Sequence, residues 1–420
     1  MNWPASKVRP VANNLLTLSL PSDQAAPLPP VQPVATAVEL TVVMPCLDEA
    51  DTVEICVSKA RAAMQAHGIE GEIVVADNGS TDGSREIAER AGARVLPVAA
   101  RGYGNALMAG INAARGRFVI MGDSDDSYDF GDIPRFLHRL REGFDLVQGC
   151  RLPAGGGRVL PGAMPWSHRW IGNPLFSILV RTFFNAPIHD AYCGLRGFSK
   201  DLYTRLNLRC TGMEFAIEML VKASLMNART AEVPITLHPD GRVSHPPHLR
   251  TYRDGWRTLR FLLMYSPRWL FLLPGMLMIL VGSLGYAVAL PGARILGVRF
   301  DAHTLLVASL CVLLGYQSVL FALFTKTFAI SEGLHPGSPR LEALFRCVTL
   351  ERGLIAAALL MTAGVALIAG AADQWRVRGF GDLDYAATMR WVIPGVTATA
   401  LGFQTILAGF FISILRMARR

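Results

Sequence analysis

Apolar residues are distributed in two ways along this chain. Between residue 40 and about residue 240 they come in short bursts separated by helical stretches; beyond Trp269 they come in long uninterrupted runs. Each burst reads as a buried strand and each spaced stretch as an amphipathic helix. Residues 40–44 form the first strand, ended by Pro45, and residues 51–67 form a helix with Val53, Val57, Ala60 and Met64 on one face. Strands follow at 72–76, 94–98, 117–121 and 145–150. Helices begin at Ser84 and cover 104–114 and 132–142. Strands this apolar, alternating with helices, predict a parallel, doubly wound α/β sheet with right-handed crossovers. Residues 151–175, rich in Gly, Pro and Arg, read as a long functional loop. The pattern then predicts a helix at 178–185, a turn over 190–198, a helix near 213–226 and a strand at 231–236.

The remainder is membrane-like. Arg250 to Tyr265 sets Trp256, Leu259 and Leu263 against Arg253, Arg257 and Arg260, the pattern of a helix lying in the membrane interface. Apolar runs at about 269–290, 303–328, 353–372 and 391–415 each reach the roughly 20 residues needed to span a bilayer. The expected organisation is a disordered Pro-rich arm (1–38), an α/β domain (39–245), a juxtamembrane amphipathic helix (246–268) and a four-helix transmembrane domain (269–420). The arm lacks the apolar core of a signal peptide. An even number of spans returns both ends to one side. Arginines before the first span, Arg340, Arg346 and Arg352 in the middle loop, and Arg416, Arg419 and Arg420 at the end outweigh Arg294, Arg299, Arg376, Arg378 and Arg390. That balance predicts a cytosolic α/β domain on an integral membrane protein, of the kind expected in a bacterial inner membrane.

Composition agrees. A hydrophobic content of 51% and a mean hydropathy of +0.32 are too high for a purely soluble enzyme. The net charge of +8 suits anionic lipid or phosphorylated substrates. Nucleic acid is not indicated, since no basic tract is interleaved with aromatics. The seven cysteines are scattered and read as reduced thiols. Homo-oligomerisation is left open.

The candidate chemistry lies where the strand 117–121 runs into Gly122-Asp123-Ser124-Asp125-Asp126-Ser127. A buried strand ending this way delivers Asp123 and Asp125 to the carboxyl edge of the sheet, where open α/β folds bind ligands. Carboxylates this close repel unless a cation lies between them. Hard oxygen donors suit Mg²⁺ or Mn²⁺, which commonly share their shell with substrate phosphates. The bland alternative is a solvated acidic turn.

Several motifs resemble a known family. Thr41-Val42-Val43-Met44-Pro45-Cys46-Leu47-Asp48-Glu49, Ala76-Asp77-Asn78-Gly79-Ser80-Thr81-Asp82-Gly83-Ser84, Arg101-Gly102-Tyr103-Gly104-Asn105-Ala106 and Gly122-Asp123-Ser124-Asp125 resemble family 2 glycosyltransferases of GT-A fold. Gln148-Gly149-Cys150-Arg151, Asp190-Ala191-Tyr192-Cys193-Gly194-Leu195-Arg196 and Gly212-Met213-Glu214 resemble its polyprenyl-phosphate transferases, which include dolichyl-phosphate mannose and glucose synthases. The likeness covers about residues 40–265. It implies a GT-A, Rossmann-like domain and metal-dependent, inverting transfer of a sugar from a UDP- or GDP-sugar to a polyprenyl phosphate. It implies that Pro45, Glu49 and Asp77 line the base and ribose, with Asn78, Gly104 and Arg101 close to the nucleotide. Asp123 and Asp125 would hold the donor and its metal, and Arg151 and Arg169 would meet the lipid phosphate. Asp190 and Arg196 join the substrate-binding set, although Asp190 and Glu214 read equally as ion-pair partners of the many arginines. Two positions depart from the pattern. Ser127 stands where relatives carry a Gln metal ligand, and Gly241-Arg242-Val243-Ser244-His245 replaces a basic Ser-Lys pair, so diphosphate contact passes to Arg242 or His245. The rival readings are a processive polysaccharide synthase, whose Gln-x-x-Arg-Trp is here Trp166-Ser167-His168-Arg169-Trp170, and a non-catalytic membrane scaffold.

Overall fold

A computed structural model describes residues 38–244, 251–295 and 297–417. Residues 1–37 of the expected arm at 1–38, and His245, His248, Arg250, Arg419 and Arg420, lie outside the described residues.

The apolar bursts form one mixed sheet. In chain order its strands and helices are β1 (Leu40–Cys46), α1 (Val53–Ala66), β2 (Gly71–Asp77), α2 (Ser84–Arg90), β3 (Arg94–Pro97), α3 (Tyr103–Ala113), β4 (Phe118–Met121), α4 (Ile133–Arg141) and β5 (Leu146–Cys150). Next come β6 (Arg158–Val159), α5 (Asn173–Phe184), β7 (Arg196–Ser199), α6 (Lys200–Leu206), α7 (Phe215–Leu225), β8 (Thr230–Pro234) and β9 (Thr236–Leu237). The sheet order is β3-β2-β1-β4-β7-β5-β8, and β6 pairs separately with β9. Helices α1, α2 and α4 cover one face through Val57, Ala60, Ala88, Phe136 and Leu140; α3, α5, α6 and α7 cover the other through Leu107, Ile111, Val180, Leu202 and Met219.

Three expectations are corrected. The sheet is not wholly parallel: β7 runs antiparallel between β4 and β5. Its sequence, Arg-Gly-Phe-Ser, carries one apolar side chain and so gives no burst to read. Nor does Pro45 end β1, which continues to Cys46. Pairing with β4 stops at Val43, so by Pro45 the strand is bonded only to β2 and the missing N–H leaves no gap in a ladder. The segment read as a loop over 151–175 also holds β6 and a wide helical turn, His168–Gly172, leading into α5.

Helix α8 (Thr251–Met264) buries Phe261 and Leu262 in the α3–α5–α7 face, fastening the juxtamembrane helix to the α/β domain. Then come α9 (Leu273–Ala289), α10 (Ala302–Ser331), the short α11 (Pro339–Cys347), α12 (Leu350–Val377) and α13 (Tyr385–Arg416). Among the described residues, four helical segments are long and apolar enough to cross a membrane: Arg268–Ala289, Ala302–Ser331, Leu350–Val377 and Tyr385–Arg416. They pack as two hairpins joined through α10 and α13. Small residues set the close approach, as apolar helices in lipid require. A Cβ on Gly275 would stand 2.8 Å from the Gly315 carbonyl, and one on Gly364 would stand 2.6 Å from that of Gly395.

Candidate active site

β4 ends at Met121, and the chain turns at the carboxyl edge of the sheet with Asp126 in the left-handed region at φ 60°. This turn is fixed from outside. Ser124 donates its hydroxyl to the Pro45 carbonyl at 2.7 Å, and Thr52 donates to the Ser124 carbonyl at 2.7 Å. The two carboxylates before and after Ser124 are thereby held at the end of β1.

Asp123 is half-buried and accepts from the Tyr103 hydroxyl at 2.8 Å. Burial, then the charge of Asp125, pushes its carboxyl up to about 6, while Tyr103, Arg242 and Arg151 pull the other way. Asp125 accepts the Ser127 hydroxyl at 2.5 Å and the Ser127 N–H at 3.1 Å on Oδ1. Its Oδ2 lies 3.3 Å from Arg242 Nη2. Arg242 grips Glu49 through Nε at 2.9 and 3.0 Å and through Nη2 at 2.5 Å, and its Nη1 lies 3.5 Å from Asp240. Burial opposes the charge of Arg242, but Glu49, Asp125 and Asp240 outweigh it and hold the guanidinium above its ordinary pKa.

Arg242 arrives on a segment that lies back across the acidic turn. His238 N–H donates to the Ser127 carbonyl and Gly241 N–H to the Asp125 carbonyl, at 3.0 and 2.9 Å. The Val243 and Ser244 N–H groups then both donate to Asp51 Oδ2.

Beside this lies a buried pair. Arg151 donates to Asp190 Oδ2 through Nε at 2.8 Å and to Oδ1 through Nη2 at 2.9 Å, and it is 7% exposed. Burial would raise the Asp190 carboxyl, yet Arg151 and the N–H groups of Arg151 and Tyr192 hold it below its ordinary value.

The match to known proteins follows these features. Residues 41–206 fit the family model described as glycosyl transferase family 2, and residues 323–416 fit that of the family 2 C-terminal transmembrane region. The low-salt glycan biosynthesis hexosyltransferase Agl6 of Haloferax volcanii is 35% identical over 379 residues, covering 90% of this chain and 89% of that protein. The chain belongs to glycosyltransferase family 2. The glycosyltransferase is also similar to a dolichyl-phosphate hexose transferase of H. volcanii, 33% identical over 39% of this chain and 68% of that protein. Among solved structures, glucosyl-3-phosphoglycerate synthase from Mycobacterium tuberculosis in complex with Mn²⁺, UDP and glucosyl-3-phosphoglycerate is 23% identical over 54% of this chain and 79% of that one, with a TM-score of 0.43. The scaffold reading falls with the family assignment. The GT-A domain of this glycosyltransferase, followed by its membrane helices, makes it an integral membrane enzyme.

Several residues of the glycosyltransferase sit differently from expectation. Ser127 gives its hydroxyl hydrogen to Asp125, so it orients that carboxylate rather than standing free as a third ligand. The Arg151 fork, expected to be open to a phosphate, is closed on Asp190. Arg196 is wholly buried and donates to the carbonyls of Ala216 and Cys193, out of reach of a substrate. Burial lowers its guanidinium pKa. Asn78 holds the next loop: its amide donates to the Val98 and Ala100 carbonyls and accepts from Gly102 N–H. That loop carries Arg101, which is exposed. Gly104 is a packing requirement, since a Cβ there would stand 2.3 Å from the Cys210 carbonyl. Asp77 caps its own turn by accepting from Gly79 and Ser80 N–H, and it pairs with Arg85 at 2.5 Å. Burial would raise the Asp77 carboxyl, but these bonds hold it below its ordinary value. Arg169 rests on the Trp170 ring, 5.3 Å from its centroid, with Nε buried and without a partner among the described residues.

Sequence reasoning assigned no role to Tyr103, Thr52, Tyr128 or Gly194. Tyr103 lies between the two glycines of Arg101-Gly102-Tyr103-Gly104 and Gly194 lies within the motif from Asp190 to Arg196, whereas Thr52 and Tyr128 carry no spacing signal.

Proposed function

We propose that this glycosyltransferase moves a sugar from a UDP- or GDP-sugar to a polyprenyl phosphate, with inversion, at the cytosolic face of a membrane. One observation carries the reading: Asp123 and Asp125 follow β4 at a sheet edge whose supporting core also buries Phe261 and Leu262 of the helix that leads into the bilayer. A donor bound there lies beside the surface from which a lipid phosphate would approach. The similarity to a protein named dolichyl-phosphate hexose transferase supports the acceptor class.

The residues fit a divalent ion. Two hard carboxylates lie close enough for the charge of Asp125 to raise Asp123, and no group of three His, Cys, Asp or Glu side chains among the described residues offers a complete protein cage, so donor phosphate oxygens would complete the shell. When bound, Mg²⁺ or Mn²⁺ would neutralise charge on the leaving diphosphate. Pro45, Glu49 and Asp77 line the base and ribose, and Asn78 and Gly104 hold the walls of that pocket. Arg101 and, once released from Glu49, Arg242 serve the diphosphate. An acceptor phosphate oxygen, already ionised near neutral pH, attacks the anomeric carbon. The bond to the diphosphate breaks, its electron pair leaves with the nucleoside diphosphate, and no general base is needed. Arg169, resting on Trp170, is assigned to the acceptor phosphate. Arg151, fixed by Asp190, supplies a buried positive charge behind the site.

The test uses the full chain in detergent with Mn²⁺, a panel of UDP- and GDP-sugars, and a polyprenyl phosphate. The expected product carries one sugar per lipid, from one nucleotide class. A growing polymer would mark a processive synthase. Donor hydrolysis or binding without any lipid product would overturn the acceptor assignment.

A further inference from the structure

We infer that Tyr103 is a positioning residue for Asp123, and that Gly194 is the cut-out that gives this carboxylate room. The inference rests on the metal reading of Asp123 and Asp125. The Tyr103 hydroxyl donates to Asp123 Oδ1 at 2.8 Å. On the other side, a Cβ at Gly194 would stand 2.6 Å from Asp123 Oδ2 and 3.1 Å from the Tyr128 hydroxyl. That hydroxyl accepts from Gly194 N–H at 2.8 Å, which fixes the glycine against the carboxylate. Asp123 is thus held on both oxygens, one by a bond and one by a fitted gap.

The root of Tyr103 is itself immobile. Gly102 N–H donates to Asn78 Oδ1 at 2.6 Å, and the N–H groups of Gly104 and Asn105 both reach the Thr211 carbonyl, at 3.0 and 3.3 Å. The loop carrying Thr211 is tied in turn by Glu218 Oε2, which accepts from Arg209 and Cys210 N–H at 2.9 and 2.8 Å. A phenol on so fixed a base sets the carboxylate plane before a cation arrives. Groups that orient metal ligands in this way typically contribute about 10–100-fold in metal affinity. A structural role alone would reside in the ring, which packs against the α3–α7 core.

Tyr103→Phe separates the two, because it keeps the ring and removes only the donor. Mn²⁺ is titrated against the full chain in detergent, alone and with UDP or GDP, by electron paramagnetic resonance. The variant should bind Mn²⁺ about tenfold or more weakly. Its metal-free unfolding should remain a single cooperative transition, lowered at most modestly by the lost bond, and kcat should recover in excess Mn²⁺. Gly194→Ala, which crowds the other oxygen, should shift Mn²⁺ affinity the same way with Tyr103 intact. Wild-type Mn²⁺ affinity in Tyr103→Phe overturns the inference and leaves the metal reading standing. Failure of the wild-type chain to bind Mn²⁺ under any of these conditions overturns both.

Discussion

The Arg151–Asp190 pair has the sharpest consequence of any single contact. Both groups are buried, and removing one partner leaves the other charge without compensation, which costs roughly 3–5 kcal/mol. Asp190→Asn should therefore lower the melting temperature near neutral pH. It should also reduce transfer by loosening Arg151, as unfolding by calorimetry and a turnover assay would record. The sign with pH follows from Asp190, whose folded pKa is depressed. Its contribution is complete above the unfolded value of about 3.9 and is lost as pH falls through the folded value. Wild-type stability should drop below about pH 4, and the Asn variant should show a flatter profile there. A variant as stable as wild type at pH 7 would refute this account. The carboxylates Asp123 and Asp125 were legible because a strand delivers them within three residues. The Arg151–Asp190 pair spans 39 residues of sequence and no spacing rule joins its partners. Arg196 shows the same limit: an arginine in a motif reads as a substrate contact, whereas its surroundings turn it toward two carbonyls.

Among the elements, strands with apolar bursts and helices with a clear stripe could be read, and β7 could not. Its place is decided by space, since Gly197 fits between Leu140 and Ile120 where a larger residue would crowd both. The segment from Leu237 to Ser244 was equally hidden. It has no apolar period, and it is fastened to the acidic turn by backbone bonds and by Asp51. Its Arg242 lies against both Glu49 and Asp125, where it competes electrostatically with any cation drawn to Asp125. Arg242→Ala should therefore tighten Mn²⁺ binding in the absence of nucleotide, by about tenfold for ~1.4 kcal/mol of relieved competition. The same variant should raise the donor KM, because the diphosphate loses its arginine. Calorimetric titration of Mn²⁺ beside steady-state kinetics would register these opposite signs. Weaker Mn²⁺ binding in the variant would show that Arg242 supports the metal site instead of competing with it.

At the scale of the whole molecule, the arginine count alone left the orientation of the spans weakly biased. Part of the positive charge in the two loops expected outside is also paired locally: Asp301 lies 3.3 Å from Arg299 and 3.1 Å from Arg390, and Asp373 lies 2.6 Å from Arg376. Folding adds an independent constraint. The loop after α10 touches the α/β domain and its juxtamembrane helix: Arg209 donates to the Glu332 carbonyl at 3.5 Å, and His335 stacks on Tyr265 with ring centroids 5.8 Å apart. The middle loop therefore lies on the same side as the catalytic domain, which an even number of spans also requires. On the proposed cytosolic placement of the catalytic domain, single cysteines at Gly297 and Gly379, in a chain cleared of its own cysteines, should react with an impermeant maleimide added outside intact cells. A cysteine at Gly337 should react only after permeabilisation. All three glycines tolerate a side chain sterically, since none has a non-hydrogen neighbour among the described residues closer than 4.0 Å to an added Cβ, although Gly297 and Gly379 have positive φ and carry some backbone strain. Labelling of Gly337 from outside with Gly297 protected would invert the topology and put the donor site on the wrong face. Labelling of all three from outside would break the pairing of the four spans into two hairpins.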